Sequence, residues 1–426
     1  MTRHPPAARA ALAALAALLA APAVPAADWS FDPSVVLGIQ YSDNVLLVTD
    51  PRLESPETLG DWIGVLSVAL PITATTPRSS TNFSFTPTRY QYASKTYTGP
   101  DTPEGGADLS DLSYTAYAAS LGWTFNQSTR TSWELTGSGG RANQQYVSYD
   151  TVQRDLFVLP PTTTASWGAT GAGTFRFAER TALIVRLGSS GTRYDSNRFV
   201  GTEDQPISVE DSMTTVLGLA HETRVSPTSL VRAGYIGQYI DNGSLGSDLV
   251  HNLGGAYSYG DATQGWEFSS RAGAAWLKTQ DLGTRDVEPV DEIRPVFEVT
   301  VSRQVLGRSL VQAGAVQEFT GSNGVEGTAL TFGAYTALRV PIRQRSHFGL
   351  ALRYSDREPV LDTFPTTKTF GGSAEFVAGL SRHWGLGFGA QYYDQTSSQT
   401  EDATEFVPDG SYAIYSAVVS WNPTAR

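Results

Sequence analysis

Five histidines and many serines are the residues here with the clearest capacity for covalent or metal chemistry, and their spacing supports neither. His4 lies in the N-terminal leader, His347 and His383 fall in or beside short turns, and His221 and His251 sit on different strands. No motif pairs a nucleophile with a base, as acyl-transfer chemistry requires. No ligand spacing for a metal and no glycine loop for a phosphate or dinucleotide is present either. The expectation is no catalytic residue, no metal and no cofactor; the enzyme alternative is a hydrolase whose Ser and His meet at one rim of the fold.

Charge carries a different chemistry. Arg176, Arg186, Arg232, Arg271, Arg294, Arg339 and Arg353, with Glu134, Glu222, Glu267, Glu298, Glu318 and Glu375, alternate with apolar neighbours at a period of two. Burying such groups in an apolar core is costly, and Arg at a bilayer midplane costs about 2–4 kcal/mol. They are therefore predicted to line a water-filled lumen, where they would hydrogen-bond hydroxyls. Mixed sign without a ring of one charge suits a neutral or weakly charged hydrophilic solute or polymer.

The elements that position these charges are strands. From Gly265 to Lys278, Trp266, Phe268, Ala272, Ala274 and Trp276 share one face, while Glu267, Ser269, Arg271 and Gly273 share the other. Trp266 and Trp276 would stand roughly 25 Å apart on a tilted strand, about the height of the apolar band between two aromatic girdles. Trp384 and Trp421 are predicted girdle residues of the same kind. On the lipid side fall Leu183, Val185 and Leu187; Leu330, Phe332 and Leu338; and Phe348, Leu350 and Leu352. Phe83 and Phe85 start a strand in which Pro87 predicts a bulge, since the aromatic phase moves to Tyr90 and Tyr92.

Eighteen strands are predicted, within a range of 16–18, from 29–41 to 411–422. Short turns such as Ala178-Glu179-Arg180 and Ser226-Pro227-Thr228 follow the even-numbered strands. Long segments such as Ala142–Pro161, Ser196–Glu210 and Asp394–Gly410 follow most odd-numbered ones. The reading is all-β, a single antiparallel up-and-down transmembrane barrel with short periplasmic turns and long extracellular loops. Ala142–Pro161 is the loop expected to fold inward if the lumen is constricted.

Composition agrees. Charged residues are 17% and aromatics 11%, with 41 Gly, which suits alternating strands better than packed helices. Thirty basic against 42 acidic residues argue against a nucleic-acid partner. Cysteine is absent, which is compatible with an oxidising periplasm. Residues 1–26 read as a Sec signal peptide: Arg3 and Arg9, an apolar run from Ala10 to Ala21, and Val24-Pro25-Ala26 before the cut, leaving 27–426 as the barrel. Removing those two arginines takes the net charge from −12 to −12 − 2 = −14. Acidic loops, as at Asp101, Glu104, Asp108 and Asp111, read as a solvated surface or as sites bridged by divalent cations to lipopolysaccharide. Tyr146, Tyr149, Tyr194, Tyr392 and Tyr393 read as girdle residues or as stacking platforms for sugar rings.

The first mature segment, Pro33–Asn44, ends in Tyr41-Ser42-Asp43-Asn44 and resembles the start of the putative beta-barrel porin 2 family. The resemblance implies an outer-membrane barrel of about this size, associated with exopolysaccharide export and with PEP-CTERM loci. It implies no catalytic residue. Its partners would be outer-membrane lipid and lipopolysaccharide, a polysaccharide and periplasmic export proteins. The expected function is a passive exopolysaccharide conduit; the alternatives are a general diffusion porin and a non-conducting structural protein. A lumen narrowed by an inward loop would favour the porin.

Overall fold

The computed structural model describes residues 27–43, 60–93, 96–97, 107–108, 113–143, 163–194, 211–261, 265–281, 289–305, 308–321, 327–361, 364–398 and 410–423. The leader 1–26, Tyr146, Tyr149 and most of the acidic loop residues lie outside them. The main sheet has 19 segments. Its first two, Asp28–Phe31 and Ser34–Ser42, are one strand, because both pair with the next strand in a single unbroken register. They are separated where Asp32 and Pro33 stand opposite Pro71 and Leu70, two prolines that have no N–H to give. Counting them as β1 leaves 19 − 1 = 18 strands.

The others are β2 Asp61–Thr75, β3 Ser79–Tyr92, β4 Tyr114–Asn126, β5 Thr131–Asn143 and β6 Thr163–Ala178. There follow β7 Thr181–Tyr194, β8 Ser212–Arg224, β9 Ser229–Asp241, β10 Ser247–Asp261, β11 Trp266–Asp281 and β12 Asp291–Val305. The last six are β13 Ser309–Thr320, β14 Ala329–Arg343, β15 Ser346–Pro359, β16 Thr366–Gly379, β17 Trp384–Ser398 and β18 Gly410–Trp421. Each pairs antiparallel with its sequence neighbours, and β18 pairs with β1 from Val35↔Trp421 to Ser42↔Ile414. The sheet is a closed all-β barrel. Closure is forced, because a spanning sheet in lipid satisfies its backbone only if it has no open edge.

Strand tilt is visible in the register. One row of paired residues runs Ser30, Thr73, Asn82, Gly122, Thr136, Thr170, Gly188, Val216, Gln238, Val250, Leu277 and Glu292. It begins near the periplasmic end of β1 and finishes beside the extracellular end of β12, so rows climb as strand number rises. The outward face carries exposed large apolar residues: Leu37, Leu187, Leu253 and Ile293 are 58%, 61%, 69% and 71% exposed. Gly234, Gly254 and Gly273 are consecutive in one row. A Cβ on Gly254 would come 2.6 Å from the Ala272 carbonyl oxygen, so only glycine fits.

β3 corrects the expected bulge. Its register with β2 and β4 is constant from end to end, with the β2 ladder skipping the two positions opposite Thr86 and Pro87. Tyr90 and Tyr92 lie past Pro87 on the inward face, where Tyr90 stacks on Tyr114 at 4.8 Å beside the buried Ile63 and Val65. The aromatic phase changes because these tyrosines pack inside. β17 also runs on to Ser398, past the predicted start of its loop at Asp394.

Tyr41-Ser42-Asp43 completes the closure. Tyr41 packs against Trp62 at 5.1 Å, and Ser42 is buried. Asp43 N–H donates to the Ala413 carbonyl at 3.2 Å, and Ala413 N–H donates to Asp43 Oδ1 at 2.7 Å. A side chain thus supplies the last acceptor of the β1–β18 ladder. Asp43→Ala leaves the Ala413 amide unpaired, which costs about 1–3 kcal/mol. The expected result is a lower midpoint of heat-induced unfolding on cold gels, with Asp43→Asn retaining most of the wild-type value.

Candidate functional site: the charged lumen and its narrowed extracellular end

The ladders place the predicted charges on the inward face. Arg176, Ala182, Glu222, Arg232, Ala256, Arg271 and Glu298 are successive members of one row. Glu134, Arg186, Glu267, Arg294, Glu318, Arg339, Arg353 and Glu375 share that face in other rows. Glu222 accepts from Arg232 at 2.7 Å. Arg271 is shared between Glu298 at 3.7 Å and Glu318 at 3.0 Å. Arg339 lies 3.3 Å from His347, which is 3.4 Å from Glu375. Glu267 accepts from Ser302 at 3.3 Å, and Arg353 faces Tyr393 across Gly371. The side chains of Arg232 and Glu375 are both 43% exposed, so the band meets solvent inside the wall.

Arg176 and Arg186 differ, since neither has a side-chain partner among the described residues. Arg186 borders a cavity of about 820 Å³ along the inner wall of β2–β8. Its lining is small and hydroxylated, with Ser84, Ser120, Thr136, Ser138, Thr170 and Ser190 beside glycines. The lumen therefore has one wall of mutually neutralised charge and one of hydroxyls around a lone guanidinium.

The extracellular end is narrowed by a fold of the wall. β12 pairs with β13 over nine positions only, from Phe297↔Gln317 to Val305↔Ser309, whereas β10 and β11 pair over fifteen. Pro295 has no N–H to continue the ladder, and the Gln317 side chain donates instead to the Pro295 carbonyl at 2.9 Å. Above this seam, β12 stays in the wall while the ends of β13, β14 and β15 slide inside it. Phe319 thus packs with the inward-facing Ile240, Val250, Ala275, Leu277 and Val296, with Leu330 and Val360 against them. Leu330, expected on the lipid face, is turned onto the inner surface of the wall at this point. Glu358, on the outward side of β15, lies 3.8 Å from Arg294 on the inward side of β12, and Arg294 donates to Glu292 at 2.8 Å.

Buried polar groups pin this inner layer. Arg357 is 1% exposed and donates to Thr320 Oγ1 at 2.9 Å and to the Gly321 carbonyl at 2.8 Å. Asn242 donates to Thr328 at 3.2 Å. A Cβ on Gly321 would lie 3.3 Å from both Ile240 and Thr214, so the chain leaving β13 reaches across to β8 and β9. The expected constriction loop, Ala142–Pro161, lies outside the described residues from 144 onward. Sequence reasoning passed over Arg357, Asn242 and Phe319; Pro295, in a strand otherwise free to pair, was the available signal.

The predicted girdle tryptophans face outward. Trp266 lies under the Arg303 guanidinium at 4.5 Å, Trp276 donates to Asp291 at 2.6 Å, and Trp384 meets Trp421 at 6.3 Å. The tyrosines divide: Tyr392 faces outward, while Tyr194 and Tyr393 face inward and are buried. Tyr393 stacks on Tyr412 at 5.0 Å and offers no free ring face to a sugar. Of the histidines, His221 and His251 face outward, and His251 contacts Tyr235 and Trp276. His383 lies beside the Asn422 carbonyl at 2.9 Å in a turn.

No protein-family model and no curated protein matches the chain. Solved structures with a similar plan include Acinetobacter baumannii OccAB3, at 12% identity, covering 92% of this chain and 99% of that one, TM-score 0.46. Pseudomonas aeruginosa OpdQ follows at 10% identity, with 93% and 97% covered and a TM-score of 0.45. P. aeruginosa OpdK, solved with vanillate, is 11% identical, with 92% and 98% covered and a TM-score of 0.44.

Arg357→Ala removes a buried guanidinium that holds the inner layer. The expected outcome in planar bilayers is a larger and noisier single-channel conductance with an unchanged β-sheet circular-dichroism signal. Glu358→Ala, at a half-exposed pair of small strength, leaves conductance near wild type.

Proposed function

We propose that this protein is an outer-membrane diffusion channel for small hydrophilic solutes. The observation that carries the reading is the solvated inner face narrowed at one end, where β13–β15 lie inside the wall. A water-filled passage lined by paired charges and hydroxyls lets polar solutes shed hydration gradually, and a narrowed end sets the size limit. Arg176, Arg186, Arg232, Arg271, Arg294, Arg339 and Arg353, with Glu267, Glu298 and Glu375, line this path. They recognise solutes by hydrogen bonds and charge, and no covalent step is involved. Export by the Sec route after removal of 1–26 completes the reading.

The exopolysaccharide conduit rests on the resemblance of Pro33–Asn44, of which Val35–Asp43 serve to close the barrel. A narrowed end favours small solutes over a polymer strand. Proteoliposome swelling in sugars of increasing size tests the choice: rates should fall steeply with solute mass, and absence of swelling in the smallest sugar would remove the channel reading. Secreted polysaccharide should be unchanged in a deletion strain. Arg186→Glu places a negative charge in the hydroxyl-lined cavity, and the zero-current potential across a salt gradient should move towards cation preference.

A further inference from the structure

We infer that the outward face of β3–β7, at the extracellular rim, binds phosphate groups of lipopolysaccharide. Three exposed arginines face outward there on alternate strands, Arg89 on β3, Arg141 on β5 and Arg193 on β7. Arg141 and Arg193 both pair with Ala165, so they flank one methyl group at two strand spacings, about 10 Å. The row of Arg141 continues through Tyr117 to Pro87, and Arg89 lies two residues above Pro87 on β3. Two residues along a tilted strand and two steps along a climbing row each rise about 5–6 Å. Arg89 and Arg141 therefore stand at one height.

That height is the one where phosphates lie. Tyr117 and Trp167, 45% and 43% exposed, face outward just below the arginines and mark the boundary between acyl chains and headgroups. A guanidinium offers a planar fork of donors that matches phosphate oxygens, and two forks side by side suit the multiply phosphorylated base of lipopolysaccharide. Arg89 is oriented without being neutralised. It donates to Gln91 at 3.0 Å and to Thr115 at 3.4 Å, and Gln91 is held in turn by Ser113 at 3.0 Å. All three partners are uncharged. Arg193 has Asp211 at 3.7 Å, a loose pair with side chains 75% and 56% exposed.

The rest of the described outward rim is unsuited to an anion. Lys278 stands opposite Asp291, and Lys368 lies 3.9 Å from Asp356. Asp394 faces outward as well. Among the described residues the outward rim arginines are gathered on β3–β7, so the site is a sector and not a ring.

The test is lipid retention by the full-length protein purified from outer membranes in mild detergent. Native mass spectrometry should show lipopolysaccharide on the wild type and at least tenfold less on R89E/R141E, both shown folded by their heat-shifted mobility. R89Q/R141Q removes the charge without adding repulsion, and serves the comparison if the glutamate variant does not fold. Add-back to delipidated wild type should restore binding with intact lipopolysaccharide but not with its dephosphorylated form or with phosphatidylglycerol vesicles. Equal retention by folded wild type and variant would overturn the site. Equal binding of the dephosphorylated lipid or of phosphatidylglycerol would overturn its assignment to lipopolysaccharide phosphates.

Discussion

Every feature of this molecule follows from the need of a spanning sheet to satisfy its backbone without water. Helices do this alone; strands do it only with neighbours, so the last strand must meet the first. Closing the ladder here depends on a register that β1 keeps through its interruption at Asp32-Pro33, and on Asp43, whose carboxylate stands in for a carbonyl at the top of the seam. Once the ring is closed, alternation leaves the side chains no freedom. Residues of one parity face lipid and those of the other face the interior, which is why thirteen ionisable groups spread over eleven strands come to share one compartment.

The same constraint explains the narrowed end. A proline on the pairing edge of β12 ends the ladder with β13, and the freed strands need somewhere to put apolar side chains that would otherwise have met lipid. Phe319 and Leu330 find it on the inner surface of β9–β12, and Arg357 and Asn242 satisfy the backbone and hydroxyl groups that the tuck buries. Apolar burial holds the layer, since it removes several large side chains from water, while the polar groups fix its position. The exposed Arg294–Glu358 contact adds little to stability but lies at the edge of the remaining passage, where its charges meet solutes.

The strands and their faces were legible in the sequence because two periodic signals coincide: alternation within a strand and alternation of turn length between strands. Trp266 to Trp276 is the plainest case, with an apolar face, a charged face and an aromatic at each end. What was not legible depends on contacts between residues far apart in the chain. Tyr90 and Tyr92 look like a phase shift caused by Pro87, and only Tyr114 shows them to be inward packing. Leu330 obeys the same alternation as Leu338 yet lies inside the wall, because alternation reports a face of the sheet and cannot report that the sheet overlaps itself. The lumen charges were legible as a set, but not their pairing, which skips strands, as from Arg271 to Glu318, or crosses the overlap, as from Arg294 to Glu358.

The seam at β12–β13 bears on how such a barrel changes over evolutionary time. Adding a hairpin to a closed barrel means parting one ladder and forming two, and the cost of parting scales with the paired positions lost. At β10–β11 that is fifteen; at β12–β13 it is nine, and the strand ends above them already have an alternative berth. A duplicated hairpin inserted there would raise the strand count by two and keep both termini on the same side of the membrane. Apart from the eight-position closure of β18 on β1, this is the ladder that a wider relative of this protein could part with the fewest hydrogen bonds broken on the way.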